Sequence, residues 1–408
     1  VAEVNWAGNR TYTAHTLHRP SSLAQVRQIV AEAPRIRVLG TRHCFNAIAD
    51  SAELLTLDGL PSDVVVDHAG GTVSVPAAMR YGDLGDALRD HGVALANLAS
   101  LPHISVAGAV ATATHGSGDT SGNLATAVAG MELVTASGDL RTVTRGDVDF
   151  DGMVVGLGAL GVVTRLTLDV EPAYQVLQRT YGALPWDALV ADLDAIMATG
   201  YSVSVLTRWG DTAERVWVKH RTDAWSDPGD GDLFGAPRLT ADPRSPRPVD
   251  LTEPGPWSDR LPHFAMDQTP SVGAELQAEY FVPRKHAVAA LEVVRGLAGV
   301  VQPVLFVSEV RTVAADDLWM SPQHGQGTLA IAFTLQPDPD GVARALVAIE
   351  DELAPFGARP HWGKLFHHDA ADIATLYPRR DDFVALIDRL DPQGTFRNAW
   401  LEARVLGT

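Results

Sequence analysis

The chain has 408 residues, 46% of them apolar and 20% charged, which fits a soluble globular protein of two domains. A net charge of −18 and the lack of any basic run exclude an electrostatic platform for nucleic acid or for an anionic membrane. No apolar run reaches the roughly 18 residues of a membrane-crossing helix, and the single cysteine, Cys44, forbids an intrachain disulfide. The opening Val1-Ala2-Glu3-Val4-Asn5-Trp6 lacks the charged-then-apolar pattern of a secretory signal, so the expectation is a cytoplasmic protein.

Ser22 and Gln25 have capping-box spacing, and Leu23, Val26, Ile29 and Val30 form the apolar stripe of a first helix. A short buried strand over 36–39 runs into the turn Gly40-Thr41-Arg42-His43-Cys44-Phe45. Glycine there permits positive φ and close approach to a ligand. The turn thus presents an imidazole beside backbone N–H groups that suit a phosphate; the plain alternative is a loop histidine without a task. Strands are expected at 53–57, 64–67 and 71–75, and an amphipathic helix at 81–90 that Gly92 ends.

Residues 99–118 are mostly small, hydroxylated or glycine. Such a stretch either lets helices pack closely or wraps a large polar ligand, and the density of Ser and Thr beside glycines favours the ligand. A hairpin follows, 128–136 and 140–144, joined by Ser137-Gly138-Asp139. The glycines at 156, 158 and 161 lead into a strand over 162–170, not a helix, so they are not a dinucleotide fingerprint. Composition shifts at Glu171-Pro172, where a domain boundary is expected. The Pro/Gly/Asp-rich segment 223–262 is too long for an ordinary loop and reads as a surface excursion.

Side chains two apart share a strand face. Over 274–281, Glu275, Gln277 and Glu279 lie on one face and Leu276, Ala278 and Tyr280 on the other. Over 328–336, Thr328, Thr334 and Gln336 oppose Leu329, Ile331, Phe333 and Leu335. A sheet with one face in water accounts for Glu275 and Glu279. It suits Glu309 and Arg311 less well, because their strand, 304–312, is otherwise nearly continuous apolar. An acid–base pair in such a run is costly unless the two groups satisfy each other or a ligand, and a ligand-facing role is expected. Near the C-terminus come His361-Trp362-Gly363-Lys364, a helix over 381–390, and Asp391-Pro392-Gln393-Gly394-Thr395-Phe396-Arg397-Asn398. Lys364 is one of three lysines and follows a glycine.

The segments 5–9, 40–46, 99–118, 158–164, 256–264, 309–316, 359–364 and 391–398 together resemble the alditol (xylitol, sorbitol) oxidases of the vanillyl-alcohol oxidase superfamily. The resemblance implies an α+β, two-domain fold. An FAD-binding domain is made from both chain ends, 1–172 and 366–408, with an inserted substrate domain, 173–365, built on a large antiparallel sheet. It implies FAD bonded covalently to His43. The cofactor would be held by Gly40, Thr41, Arg42, Cys44, Phe45, Ala99, Ser100, Ser105, Gly108, Thr112, His115, Gly116, Val163 and His361. It implies a substrate pocket of Ser100, Gln277, Glu309, Arg311, Thr334 and Lys364, with Lys364, Arg311 and Glu309 serving catalysis and no metal. Two positions depart from the family pattern: Arg42 stands where glycine precedes the flavin histidine, and Ala332 stands where some relatives have histidine.

The function implied is oxidation of a terminal primary alcohol of a linear polyol to the aldehyde, with O₂ reduced to H₂O₂. The expected partners are polyol and O₂ alone, with no nucleic acid or membrane, and a monomer. The alternatives are a sugar-lactone oxidoreductase of the same superfamily, a metal-dependent hydrolase built on His361, His367 and His368, and a flavin carrier without turnover.

Overall fold

The computed structural model describes residues 3–224, 231–239, 253–268 and 274–407. Much of the 223–262 segment, namely 225–230 and 240–252, lies outside the described residues.

Near the N-terminus a parallel sheet orders Thr16–His18, Glu53–Leu55 and Ile36–Val38. Beside it an antiparallel sheet orders Val65–Asp67, Thr72–Pro76, Val162–Asp169, Val128–Val134 and Leu140–Thr144. The helix Leu23–Glu32 starts at Ser22, whose side chain accepts from Gln25 N, while the Gln25 side chain reaches Ser21 N instead of closing the box on Ser22. Its Val26 and Val30 pack with Ile36, Leu55, Val134 and Val162.

The C-terminal segment returns to this region. The buried Asp391 carboxylate accepts from Thr395 N and Phe396 N, both at 2.7 Å, which forms a tight turn. Thr395 O accepts from Ile36 N at 2.8 Å, and the Asn398 amide donates to the carbonyls of Ala47, Ile48 and Asp50. Arg37 is buried and donates to the carbonyls of Ile48, Leu157, Gly158 and Phe396. Burial pulls its pKa down to about 10.

Between these parts lies an eight-stranded antiparallel sheet. Its order is Gly255–Pro256, Gln175–Pro185, Thr212–Arg221, Ser202–Thr207, Leu305–Val313, Thr328–Leu335, Leu276–Pro283 and Arg359–Pro360. Leu276, Ala278, Tyr280, Ile331 and Phe333 are buried in the core that also holds the helices Ala287–Gly296 and Pro339–Leu353. The opposite face is not in water. Glu275 and Glu279 are each only 1% exposed, which corrects the solvated-face expectation for both. Residues of the first half of the chain cover that face, and a cavity remains between them.

Candidate active site

The cavity, of about 310 Å³, is bordered on one side by the His43 turn and the small-residue stretch and on the other by the polar face of the sheet. Nearly every predicted site residue lines it. Gly116 and Val163 do not: Val163 packs on the core, and Gly116 uses its carbonyl to accept from His115 Nδ1 at 2.8 Å.

The turn is built on close approach. A Cβ at Gly40 or at Gly108 would stand 2.8 Å from Ser105 Oγ, so both glycines make room for one hydroxyl. Thr41 Oγ1 accepts from Ser105 N at 3.2 Å, tying the turn to the helix Val106–Ala111. Thr112, expected to face a ligand, donates its hydroxyl to Gly108 O at 3.0 Å. Arg42 has φ 63°, which explains why glycine suits this position. Here an arginine bears that backbone, a cost of about 1–2 kcal/mol, and pairs with Glu3 at 2.8 Å. Phe45 N donates to Gly363 O at 2.8 Å, and the Asn46 amide donates to the carbonyls of Trp362 and Lys364, each at 2.7 Å. The His43 turn and the Lys364 turn are therefore one unit.

Neither ring nitrogen of His43 makes a hydrogen bond, although both are buried. Burial first, then the proximity of His103, pushes its pKa down to about 4. At neutral pH the imidazole is uncharged, with a lone pair available as a nucleophile. Burial raises the Cys44 thiol to about 11, with Arg37 opposing, so its sulfur stays protonated.

The sheet side holds charge instead. Register places Glu279 and Glu309 on either side of Ala332, on the strands flanking Thr328–Leu335. Glu279 is the centre: Oε1 meets His115 Nε2 and Arg311 Nη2, both at 3.1 Å, and Oε2 meets Lys364 Nζ at 2.8 Å. Burial alone would raise its pKa, but Lys364, His115 and Arg311 outweigh it and hold the carboxyl well below the usual range. Glu309 and Arg311, expected to face a ligand, stand 3.6 Å apart, because Arg311 is engaged more closely by Glu279. Arg311 Nη1 also donates to Ser100 Oγ at 3.2 Å. This leaves Arg311 Nε and Glu309 Oε1 buried without hydrogen-bond partners, a donor and an acceptor on the cavity wall.

Gln277 donates to Glu275 Oε1 at 2.5 Å, and its cross-strand neighbour is Thr334. His361 has its Nδ1 accepting from Gly363 N at 3.0 Å, and burial lowers its pKa to about 3. His115, Glu279 and His361 lie close enough to suggest a metal site. The chemistry opposes one, since two cations, Lys364 and Arg311, already occupy the Glu279 oxygens. The histidines of the hydrolase alternative do not converge: His368 Nδ1 faces Glu350 at 3.3 Å, and His367 is exposed.

Sequence reasoning missed Glu279, His263 and Trp217. Glu279 shares a face with Gln277, and that periodicity was the available signal. His263 lies 3.7 Å from Glu309, stacks edge-on with Trp217, and has its backbone N on Ser100 O. No local pattern marks it.

The donor set fits FAD. The cavity runs along Gly40, Ser105 and Gly108, and the two orphaned nitrogens of a neutral His43 await a partner.

A family model for an FAD binding domain matches residues 14–144, and one for D-arabinono-1,4-lactone oxidase matches residues 268–404. An alditol oxidase of Streptomyces sp. is 46% identical over 98% of this chain and 98% of its own length. An L-gulono-1,4-lactone dehydrogenase of Mycobacterium tuberculosis is 29% identical over 99% and 98% of the two chains. Two solved cholesterol oxidases, one from B. sterolicum, superpose with TM-scores of 0.77 and 0.80. Each is 15% identical; they cover 99% and 98% of this chain and 96% of their own. That likeness shows the α+β, vanillyl-alcohol-oxidase type of fold. With an FAD-binding half that matches on its own and a relative alike from end to end, the chain belongs to the alditol oxidase family of FAD-dependent oxidoreductases.

Proposed function

We propose that the protein oxidises a terminal primary alcohol of a linear polyol, xylitol or sorbitol in type, to the aldehyde, with O₂ reduced to H₂O₂. The observation that carries this reading is the unfilled pair on the cavity wall: Arg311 Nε and Glu309 Oε1, buried and without hydrogen-bond partners. A hydroxyl group both accepts and donates, so it satisfies both at once. Bound FAD supplies the hydride acceptor and the route of two electrons to O₂. His43 carries it covalently, and the turn 40–45, Ser105 and Gly108 hold it with His115 and His361.

Lys364 and Arg311 direct N–H donors at the reacting hydroxyl and favour alkoxide character as its carbon loses hydride. Glu279 holds both cations in place, so they need not reorient during reaction. Ser100, Gln277 and Thr334 receive hydroxyls further along the chain, and an uncharged ligand suits a wall whose charges are already matched. Ala332 lies between Glu279 and Glu309 and lines the cavity.

The lactone-oxidase family match over 268–404 favours a second reading, oxidation of a cyclic sugar lactone. Turnover measured over C3 to C6 polyols and over aldonolactones, as H₂O₂ formed under air and as artificial acceptor reduced in its place, separates them. Turnover of polyols under air is expected. Turnover of lactones alone, or only with the artificial acceptor, overturns the first reading.

A further inference from the structure

The motif Asn5-Trp6-Ala7-Gly8-Asn9 has no part in the reaction outlined above, yet the structure packs it on His43. Three carbonyls around that histidine are held by this segment. Trp6 N donates to Arg42 O at 2.9 Å, the Asn5 amide to Cys44 O at 3.0 Å, and the Asn9 amide to Phe45 O at 3.0 Å. The segment is itself rigid: Asn5 Nδ2 also meets Asn9 Oδ1 at 2.7 Å, and Asn5 Oδ1 accepts from Arg10 N at 3.0 Å.

The imidazole needs such support. No hydrogen bond fixes its plane, because both nitrogens lack partners. What meets the ring is the Trp6 indole, stacked at 5.5 Å between centroids with planes 19° apart. Phe45 in turn backs the indole edge-on at 6.3 Å. Stacked aromatic pairs at this spacing are attractive and orientation-dependent.

We infer that the turn over residues 5–9 is a brace that orients the His43 imidazole for bonding to the flavin, with Trp6 as the positioning residue. This rests on the covalent reading of His43 proposed above. In that bonding a ring nitrogen of His43 joins the 8α carbon. The imidazole N–H and one C–H at that carbon break, both hydrogens and the electron pair pass to the isoalloxazine, and O₂ takes the pair to give H₂O₂. A ring free to rotate reaches the bonding geometry less often, so Trp6 acts on the rate of attachment more than on FAD affinity.

The test compares wild type, Trp6→Leu, Trp6→Phe and Asn9→Ala as purified full-length holoproteins. Flavin in the acid pellet gives the covalent fraction, flavin in the supernatant the dissociable remainder. For the same full-length proteins made under flavin-limited expression, growth of the fluorescent protein band on aerobic incubation with FAD gives the rate. Trp6→Leu is expected to slow attachment about fivefold or more, the rate equivalent of a lost stacking contact, with total bound flavin unchanged. Trp6→Phe keeps a flat ring and restores most of the rate; Asn9→Ala slows it less and remains readable if Trp6→Leu does not fold. Attachment at the wild-type rate in folded Trp6→Leu, or in Asn9→Ala where the leucine variant does not fold, overturns the brace. Equal slowing in Trp6→Leu and Trp6→Phe overturns the stacking role. A wild-type protein that releases all its flavin into acid instead overturns the covalent reading, and the brace with it.

Discussion

On the sheet side of the cavity, the buried Glu279 carboxylate is joined to Arg311 at 3.1 Å and to the half-buried Lys364 at 2.8 Å. On the turn side, the ring nitrogens of His43 are also hidden from water, but the imidazole is neutral and they are unpaired. Burying charge is tolerable only when opposite charges and hydrogen bonds compensate it, and the sheet meets that condition with its own residues. The turn meets the cost of burial by discharging its histidine. The sheet side therefore matches its main charges before a ligand arrives, leaving Arg311 Nε and Glu309 Oε1 open, whereas the turn side is finished by its cofactor.

The largest test of this contrast is Lys364→Met. It strands Glu279 Oε2 and removes a donor from the reacting hydroxyl, so kcat/KM for polyols should fall by about three orders of magnitude, ~4 kcal/mol of transition-state binding. Covalent flavin, belonging to the other side, should remain. Steady-state O₂ consumption and acid-precipitated flavin on the same preparation check both halves. Arg311→Ala should cost about 3 kcal/mol, or two orders of magnitude in kcat/KM, again with flavin in place. Full activity in a folded Arg311→Ala protein would remove the argument for where the substrate binds.

Acid should distinguish the two sides by window. The Glu279 carboxyl is depressed in the folded state, so the unfolded chain binds more protons as pH falls. Its contribution is whole above the ordinary carboxylate value of about 4.3 and is lost as pH drops below that. Glu279→Gln should lower Tm at pH 7 and flatten the Tm profile in that acid range. His361, at about 3, lies below its unfolded value. Its contribution is whole above about 6.5 and drains away as pH falls from there, since a proton on Nδ1 ends the bond from Gly363 N. His361→Asn keeps an acceptor and should flatten Tm between these two values, which thermal melts across pH will show. The smallest effect belongs to Arg42→Gly. Relief of the left-handed backbone, about 1 kcal/mol, is offset by loss of the Glu3 ion pair, about 0.5 kcal/mol, so Tm should rise by no more than a few degrees.

The elements themselves were legible because each is marked within a few residues. The helix Tyr81–Asp90 follows from its apolar spacing and from Gly92, and the strand Leu140–Thr144 from the turn before it. The family resemblance carried the FAD-binding half and the pocket residues. Alternation alone put Gln277, Glu279, Glu309 and Arg311 on polar faces, yet periodicity states only that a face is polar. Whether water or another part of the chain covers it depends on contacts far apart in sequence. Glu279 was read as solvated for that reason, and tertiary structure decided otherwise by bringing His115, Arg311 and Lys364 onto its two oxygens from three distant segments. The same holds for Trp6 on His43: the motif stands plainly in the chain, but a stacking partner 37 positions away appears only when the turn folds back upon it.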